Sequence, residues 1–231
     1  MAKDLINQTL YYRRFKIIIG SPLWRIYLKR AYRKCIEGLR QLNFVPDFNK
    51  KDFTCLLSGA GNETTADEFI KFVIARNRKA GIIIIDIGDE QIEAVKRLVQ
   101  NKYQSLNIKV KQINALDLTS FIQKNNIDWI ETDGFLEYFN TESLDSLLNV
   151  WNKILKKNGF ITLREFASDG MIGKLIDYFR LWIAKKWLGV TIYIHTKKGL
   201  EDIFKKNNFK FVSGSTLIPT FKRYSLIRNL R

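Results

Sequence analysis

Four consecutive isoleucines, Ile82 to Ile85, most strongly constrain what this chain can fold into. β-branched side chains favour strands, and a run that is apolar at every position, rather than at every second one, predicts burial of both faces. Strands of this kind occur in parallel sheets that helices cover on both sides. We therefore predict a parallel strand, buried on both faces, at Gly81–Asp86 in an α/β protein.

Short apolar runs and amphipathic stretches alternate along the rest of the chain. Strands are predicted at 53–58, 81–86, 109–114, 127–132, 160–166, 209–213 and 224–228. Helices are predicted at about 22–40, which Ser21 caps, and at about 65–78, 91–101, 142–157, which Asn158-Gly159 ends, 172–188 and 198–207. This alternation predicts a doubly wound, mostly parallel, seven-stranded sheet over residues 51–231. Residues 1–50 are predicted to form a basic helical extension that acts as a lid.

The chain carries 39 Lys and Arg against 23 Asp and Glu, a net charge of +16. Residues 1–50 carry 11 basic and 3 acidic side chains, and residues 151–231 carry 17 and 5. The segment between these basic flanks is mildly acidic, with 11 basic and 15 acidic side chains. Such a charge favours an anionic partner, which is nucleic acid, an acidic membrane surface or an anionic substrate. The alternative is that the positive charge reflects a lysine-rich composition and no anionic partner.

Two cysteines and one histidine exclude several kinds of chemistry. Cys35 and Cys55 have no metal-binding spacing and His195 is the only histidine, so we expect no metal site and no disulfide framework. The start of the chain lacks the apolar core of a signal peptide, and no apolar run reaches the ~18–20 residues of a membrane-spanning helix. These features predict a cytoplasmic protein, and they leave peripheral contact with the inner membrane surface open.

A glycine turn, Gly59-Ala60-Gly61, directly follows the first predicted strand. Glycine permits a tight turn and the close approach of a ligand to the backbone. In a doubly wound sheet, the carboxyl end of the first strand is where nucleotide-like ligands bind. The alternative is a tight turn without a ligand, because short glycine motifs are common.

Two polar side chains follow the next strands at the same edge of the predicted sheet. Asp86 ends the isoleucine strand, where its carboxylate is placed to accept hydrogen bonds from both hydroxyls of a ribose. Asn114 follows the third strand, where its amide is placed to meet an adenine edge. Each residue has a plainer alternative, since Asp is a common helix N-cap and Asn is a common turn residue.

In this order, the motifs resemble those of the class I S-adenosylmethionine-dependent methyltransferases, from about residue 53 to residue 211. Gly59-Ala60-Gly61 is similar to the glycine-rich first motif, Asp86 to the second-strand acid, and Asn114-Ala115 to the Asp-Ala pair beside the adenine. Residues 127–133 resemble the fourth strand and active-site loop, and residues 144–166 resemble the helix, turn and fifth strand. The resemblance implies a Rossmann-like methyltransferase fold with S-adenosyl-L-methionine as cofactor.

The resemblance also implies which residues contact the cofactor: Ser58, Gly59, Ala60, Gly61, Asp86, Ile87, Asn114, Ala115, Thr132 and Asp133. Three positions depart from the family pattern, since Leu57 replaces the first-strand acid, Glu63 the third glycine and Asn114 an acid. These departures leave open a non-catalytic binding module on a degenerate methyltransferase fold. A dinucleotide site fits less well, because Asp86 lies 27 residues after Gly59 instead of the ~20 typical of that fingerprint.

The residues near the expected acceptor point to a small molecule. No Asn-Pro-Pro-Tyr or similar motif follows the fourth strand, so adenine N-methylation is not expected. His195 is the candidate catalytic proton acceptor, because histidine titrates near neutral pH, and a packing role is the alternative. Tyr11, Tyr12 and Arg14 combine aromatic rings with positive charge, which suits acceptor binding.

The predicted helix 172–188 carries large apolar side chains at helical spacing, with basic residues elsewhere on its surface. It either packs as a lid or lies partly in an anionic membrane interface. The sequence therefore predicts methyl transfer to O or N of a small-molecule or lipid-like acceptor, which we expect to be anionic. An RNA-modifying methyltransferase is the alternative that the basic flanks favour.

Overall fold

The computed structural model describes residues 8–218 and 220–229, which contain one seven-stranded sheet. The strands are β1 (Thr54–Ser58), β2 (Gly81–Asp86), β3 (Ile108–Gln112), β4 (Ile127–Asp133), β5 (Leu155–Phe166), β6 (Phe209–Ser215) and β7 (Phe221–Arg228). They are arranged in the order β3-β2-β1-β4-β5-β7-β6, with β7 antiparallel to its two neighbours and the other pairs parallel. The prediction of a doubly wound, mostly parallel, seven-stranded sheet is confirmed.

Helices flank this sheet on both faces. Those in the described part of the chain are α1 (Gln8–Ile19), α2 (Pro22–Leu39), α3 (Glu63–Ile74), α4 (Asp89–Lys102), α5 (Thr141–Ile154), α6 (Gly170–Ile183) and α7 (Lys197–Lys206). Within those residues, none of the helices is both long enough and apolar enough to cross a bilayer.

The isoleucine strand is buried on both faces, as its sequence predicts. Ile82 and Ile84 belong to the hydrophobic core beneath α2, α3 and α4, and Ile83 and Ile85 belong to the core beneath α5 and α7. Successive side chains of a strand point to opposite faces, so one apolar run supplies both cores. This strand, second from the edge of the sheet, therefore contributes to the hydrophobic core on both of its faces.

The helix α2 begins as predicted and packs closely on the sheet. Ser21 is its N-cap, with its Oγ accepting a hydrogen bond from Trp24 N at 3.2 Å, and Pro22 occupies the first helical position. Ser225 Oγ in β7 donates to Cys35 O at 2.6 Å. The helix thus contributes to the core on one face of the sheet. The domain boundary at residue 50 stays a prediction.

The helix predicted at 142–157 ends earlier than expected, so its predicted end at residue 157 is wrong. α5 ends at Ile154, and β5 begins at the next residue. Leu155 pairs with Ile127 whereas Phe160 pairs with Trp129, so the strand contains a bulge that accommodates the extra residues. A Cβ at Gly159 would lie 3.0 Å from the carbonyl oxygen of Ile127. Gly159 is therefore required by close backbone approach inside the bulge and does not end a helix.

The long helix predicted at 172–188 is interrupted near its end. α6 ends at Ile183, and one π-helical turn, Ala184–Leu188, follows it. Gly189 closes this turn in the left-handed region, with φ +69°. A π turn widens the helix locally and often marks a functional site. The turn lies against the cavity described next.

Candidate functional site

A cavity of about 630 Å³ lies at the carboxyl ends of β1, β2 and β4. The chain order reverses at β1, because β2 and β4 lie on its two sides. Ligands of open α/β sheets bind at such a switch point, outside the carboxyl ends of the strands. The fold therefore places the glycine turn and Asp86 where the sequence predicts a ligand.

The glycine turn is tied to the isoleucine strand and forms part of the cavity wall. The amides of Gly59 and Ala60 donate to Ile85 O at 3.0 and 3.2 Å. Gly59 and Gly61 have φ +77° and +65°, a region that other L-residues rarely adopt. A Cβ at Gly59 would collide with the ring of Phe135. Both glycines are therefore required by the backbone conformation, and Gly59 also by the lack of space.

Asp86 lines the cavity and joins two turns. Its Oδ2 accepts from Gly61 N at 3.0 Å, and its Oδ1 accepts from Gly88 N at 2.9 Å. Burial raises the pKa of this carboxyl above its usual value, and the backbone amides oppose that shift. Asp86 thus does more than the sequence predicts, because it fixes the glycine turn as well as facing the cavity.

Three further predicted cofactor residues, Ile87, Asn114 and Ala115, line the same cavity. Asn114 Oδ1 accepts from Leu116 N at 3.1 Å, so the turn role that was an alternative is present in the structure. Asp133 lines the cavity as well, and one of its carboxylate oxygens lies 3.0 Å from Nη2 of the buried Arg164. The structure therefore brings most of the predicted contacts together.

Ser58 and Thr132, also predicted as cofactor contacts, are not among the lining residues. Both are fully buried, and Thr132 Oγ1 donates to Ser58 O at 2.7 Å. This hydrogen bond joins β4 to β1 just beneath the cavity. The two residues therefore join the strands that carry the site, and their contact with the cofactor stays a prediction.

His195, the predicted proton acceptor, is not among the lining residues either. Its Nε2 lies 3.1 Å from Leu136 O, which requires the ring nitrogen to donate. Burial lowers the pKa of the imidazole below its usual value. Because Nε2 carries the ring proton, only Nδ1 could accept another one, and the side chain does not line the cavity where an acceptor would bind. The structure thus favours the alternative of a packing histidine.

Two of the residues predicted to bind the acceptor, Tyr12 and Arg14, form hydrogen bonds that anchor α1. Tyr12 Oη donates to Glu63 Oε2 at 2.8 Å, and Lys16 Nζ lies 2.6 Å from Glu63 Oε1. Arg14 Nη1 donates to the carbonyl oxygen of Trp187 in the π turn. The side chain of Tyr11 lies outside the described residues. Glu63, the departure from the third glycine, thus holds a helix whose last residue, Ile19, lines the cavity.

A charged pair that the sequence reading missed lines the other end of the cavity. Glu137 Oε2 is paired with Arg180 Nη2, and Arg180 Nη1 donates to Asp177 Oδ1 at 2.8 Å. The Arg180 guanidinium lies 3.4 Å from the centre of the Phe166 ring. Burial raises the pKa of Glu137 to about 7, although Arg180 acts to lower it. Glu137 is therefore the cavity carboxylate best suited to take a proton near neutral pH.

Glu165 lies beside this pair and contributes to the same electrostatic environment. Its two oxygens accept from Leu136 N at 2.6 Å and Phe166 N at 2.9 Å. Burial, followed by repulsion from Glu137, raises the pKa of Glu165 to about 8. Glu165 therefore fixes the loop after β4, and it is not among the lining residues.

No protein-family model and no curated protein matches the chain. Among solved structures it is similar to the magnesium protoporphyrin IX methyltransferase ChlM of Synechocystis PCC 6803, which has bound SAH. The two are 13% identical with a TM-score of 0.63, over 96% of this chain and 95% of that one. The mitomycin 7-O-methyltransferase MmcR is 10% identical with a TM-score of 0.58, over 76% of this chain and 49% of that one.

The cyclase SpnF is also similar, at 15% identity and a TM-score of 0.55, over 71% of this chain and 53% of that one. This chain thus spans about half the length of MmcR and of SpnF. At identities this low, the similarity shows a shared fold and not a shared activity. The name of SpnF describes a cyclase, whereas the names of the other two describe methyltransferases. The chain has the fold of the class I S-adenosylmethionine-dependent methyltransferases.

Proposed function

We propose that this chain is an S-adenosylmethionine-dependent methyltransferase that acts on O or N of a small, lipid-like acceptor. The observation that carries the proposal is a single cavity that joins a glycine turn and a strand-end carboxylate to an aromatic chamber. The first part suits a nucleoside and the second suits an apolar acceptor. Methyl transfer requires both reactants to be held in line within one space that excludes water.

The residues of the first part fit the cofactor on chemical grounds. Asp86 uses one acceptor site of each oxygen for the amides of Gly61 and Gly88, and a carboxylate oxygen has two such sites. One site on each oxygen therefore remains for the ribose hydroxyls. Asn114 uses its oxygen within the chain, which leaves its NH₂ group as the donor toward an adenine. When bound, the cofactor supplies an electrophilic methyl group on a sulfonium.

The second part of the cavity supports the acceptor class. Its walls include Phe135, Tyr138, Phe139, Phe166, Trp187 and Ile192. The charged lining residues are Asp86, Asp133, Glu137 and Arg180. Arg180 is the one cation among them and is already paired with Glu137 and Asp177, so the charged lining does not favour an anionic acceptor, and most of the acceptor meets apolar surface. Such a chamber suits a molecule with a long apolar portion and a short polar one.

We expect Asp86→Asn to weaken the binding of S-adenosylhomocysteine by roughly tenfold to a hundredfold. The substitution removes the charge from the hydrogen bonds to ribose, and hydrogen bonds to charged groups contribute about 1.5–3 kcal/mol. Asn is preferred to Ala because its Oδ1 keeps one acceptor for the amides of the two turns. Isothermal titration calorimetry measures the change.

The matched control for this variant is Asp89→Asn, three residues further along the same turn. Asp89 is exposed at the start of α4 and accepts a hydrogen bond from Gln112 Nε2. We expect less than about a threefold change in affinity, because a charge near a helix N-terminus contributes only about 0.3–1 kcal/mol. Equal weakening by the two variants would show that Asp86 has no direct role at the ribose.

The reaction itself is tested with methyl-labelled S-adenosylmethionine. The labelled cofactor is incubated with the protein and, separately, with a lipid extract, a small-metabolite extract and bulk tRNA. Label in the lipid or small-molecule fraction supports the proposal, and label in tRNA supports the RNA-modifying alternative that the net charge of +16 favours. Cofactor binding without transfer to any fraction would support the non-catalytic module, and absence of binding would overturn the proposed function.

A further inference from the structure

The helix α6 has two apolar faces, and the described residues cover only one of them. On the inner face, Arg180 and Ile183 line the cavity, together with Ala184 and Trp187 of the following π turn. On the outer face lie five large side chains, each between 59% and 83% exposed: Met171, Leu175, Tyr178, Phe179 and Trp182. Their spacing of three and four residues places them in one continuous stripe along the helix.

This stripe is large for a surface that only water covers. Phe179 and Trp182 stack on each other, with ring centroids 6.2 Å apart and an angle of 14° between the planes. Single exposed apolar residues are normal on proteins, but a contiguous patch of this kind marks an interaction surface. A helix that is apolar on both faces has a second apolar partner.

The charges around the stripe indicate what that partner is. The exposed charged residues of 170–188 are Lys174, Lys185 and Lys186, all basic, and one exposed acid, Asp169, precedes them as the N-cap of α6. The one acid of this segment, Asp177, is buried and paired with Arg180. An apolar stripe with aromatic rings and flanking lysines matches an anionic lipid surface, where the rings enter the headgroup region and the lysines meet the lipid charges.

We propose that the outer face of α6 lies in the interface of an anionic membrane, with the cavity directly beneath the helix. A second copy of this chain fits the stripe less well, because a two-fold interface would bring the same lysines of both copies together around its edge. The proposal does not depend on the proposed function, since docking needs neither cofactor nor methyl transfer.

Vesicle co-sedimentation of the full chain tests the proposal. Vesicles of phosphatidylcholine are compared with vesicles that also contain phosphatidylglycerol. We expect binding to the mixed vesicles, and we expect F179S/W182S to lower the partition coefficient by roughly tenfold or more, because two aromatic side chains lose their burial in lipid. The triple variant K174Q/K185Q/K186Q should lose most of the preference for the anionic vesicles, since each basic residue near the surface contributes to it.

The matched control pair is L175S and V45S, because Leu175 and Val45 are similarly exposed, at 72% and 74%. Val45 precedes β1, and its neighbour Phe44 packs on Phe160. This position is away from the carboxyl ends of the strands, where the cavity lies. We expect L175S to weaken vesicle binding and V45S to leave it unchanged. Thermal unfolding of each variant shows that the fold is retained.

Three results would overturn the proposal. The first is that the protein does not bind vesicles that contain phosphatidylglycerol. The second is that F179S/W182S binds them as well as the unchanged protein does, and the third is a concentration-dependent dimer that F179S/W182S abolishes. The last result would identify the stripe as an interface between two copies. Quenching of tryptophan fluorescence by brominated lipid adds a direct readout, because W182F keeps the apolar surface but should lose much of the quenching.

Discussion

Glu137→Gln is expected to lower the rate of methyl transfer by roughly 10²–10⁴-fold, for an acceptor that loses a proton on methylation. Glu137 lines the cavity, and burial raises its pKa to about 7, so the carboxylate is basic enough to accept a proton near neutral pH. Gln keeps the shape of the side chain and a hydrogen bond to Arg180 but cannot take up the proton. Steady-state kinetics at saturating cofactor measure the loss in kcat.

The pH profile distinguishes this role from a structural one. A general base acts in its ionised form, so kcat of the unchanged protein should rise with pH through about 7 and then level off. Glu137→Gln should lose that rising limb along with most of its rate. A variant that merely distorts the cavity would keep the limb at a lower rate, and this outcome would argue against a base at residue 137.

His195→Gln is the control, since His195 was the base that the sequence suggested. Its Nε2 is directed at Leu136 O, and it is not among the cavity-lining residues. We expect kcat to change by less than about tenfold, which is below the usual contribution of a general base. If instead His195→Gln lowered kcat strongly and Glu137→Gln did not, His195 would be the general base.

The order of the elements and the cofactor end of the cavity are predictable from local patterns. The isoleucine run identifies a strand buried on both faces, the glycine turn directly follows β1, and Asp86 ends β2. Carboxyl ends of parallel strands meet at one edge of a sheet, so residues that follow such strands come together whatever the side-chain packing. This topological rule explains why Gly59, Gly61 and Asn114 were placed correctly.

The acceptor end is different, because contacts between distant segments create it. Glu137 meets Arg180, 43 residues further along the chain, and Tyr12 meets Glu63, 51 residues away. Only its place among the aromatic residues of its loop distinguishes Glu137 from the other acids of the middle segment. Its burial, and with it the raised pKa, depends on how α6 packs over the loop after β4. A polar residue among the aromatic side chains of that loop was the one available signal.

Packing also determines two further features that local composition does not show. Asn158-Gly159 has the composition of a helix end, but strand pairing with Ile127 extends β5 across it. Tyr12 and Arg14 have the composition of a binding site, but their hydrogen bonds go to Glu63 and to the π turn. In each case the residue types have a distinctive local composition, and tertiary contacts determine which structural role they take.

Arg164→Met should destabilise the protein by about 3–5 kcal/mol, the usual cost of removing one partner from a buried ion pair. Arg164 is fully buried between two carboxylates, with Glu131 paired to Nη1 and Asp133 Oδ2 at 3.0 Å from Nη2. Met fills much of the space but leaves both acids without a positive charge. Since whole domains are stable by only about 5–15 kcal/mol, urea unfolding should show a large fall in midpoint.

The loss should also depend on pH, and its sign follows from linkage. Burial already raises the pKa of Glu131 to about 7, and Arg164 lowers the pKa of both acids, so its removal raises them further. An acid whose pKa is higher in the folded than in the unfolded state favours folding at low pH, and this contribution is lost as pH rises toward the folded pKa. The deficit of Arg164→Met should therefore be smaller at pH 5 than at pH 8. Arg33→Met, at an exposed position of α2, should cost less than about 0.5 kcal/mol at either pH. A deficit of Arg164→Met that is the same at both pH values would mean that lost packing, and not the two uncompensated carboxylates, accounts for the change.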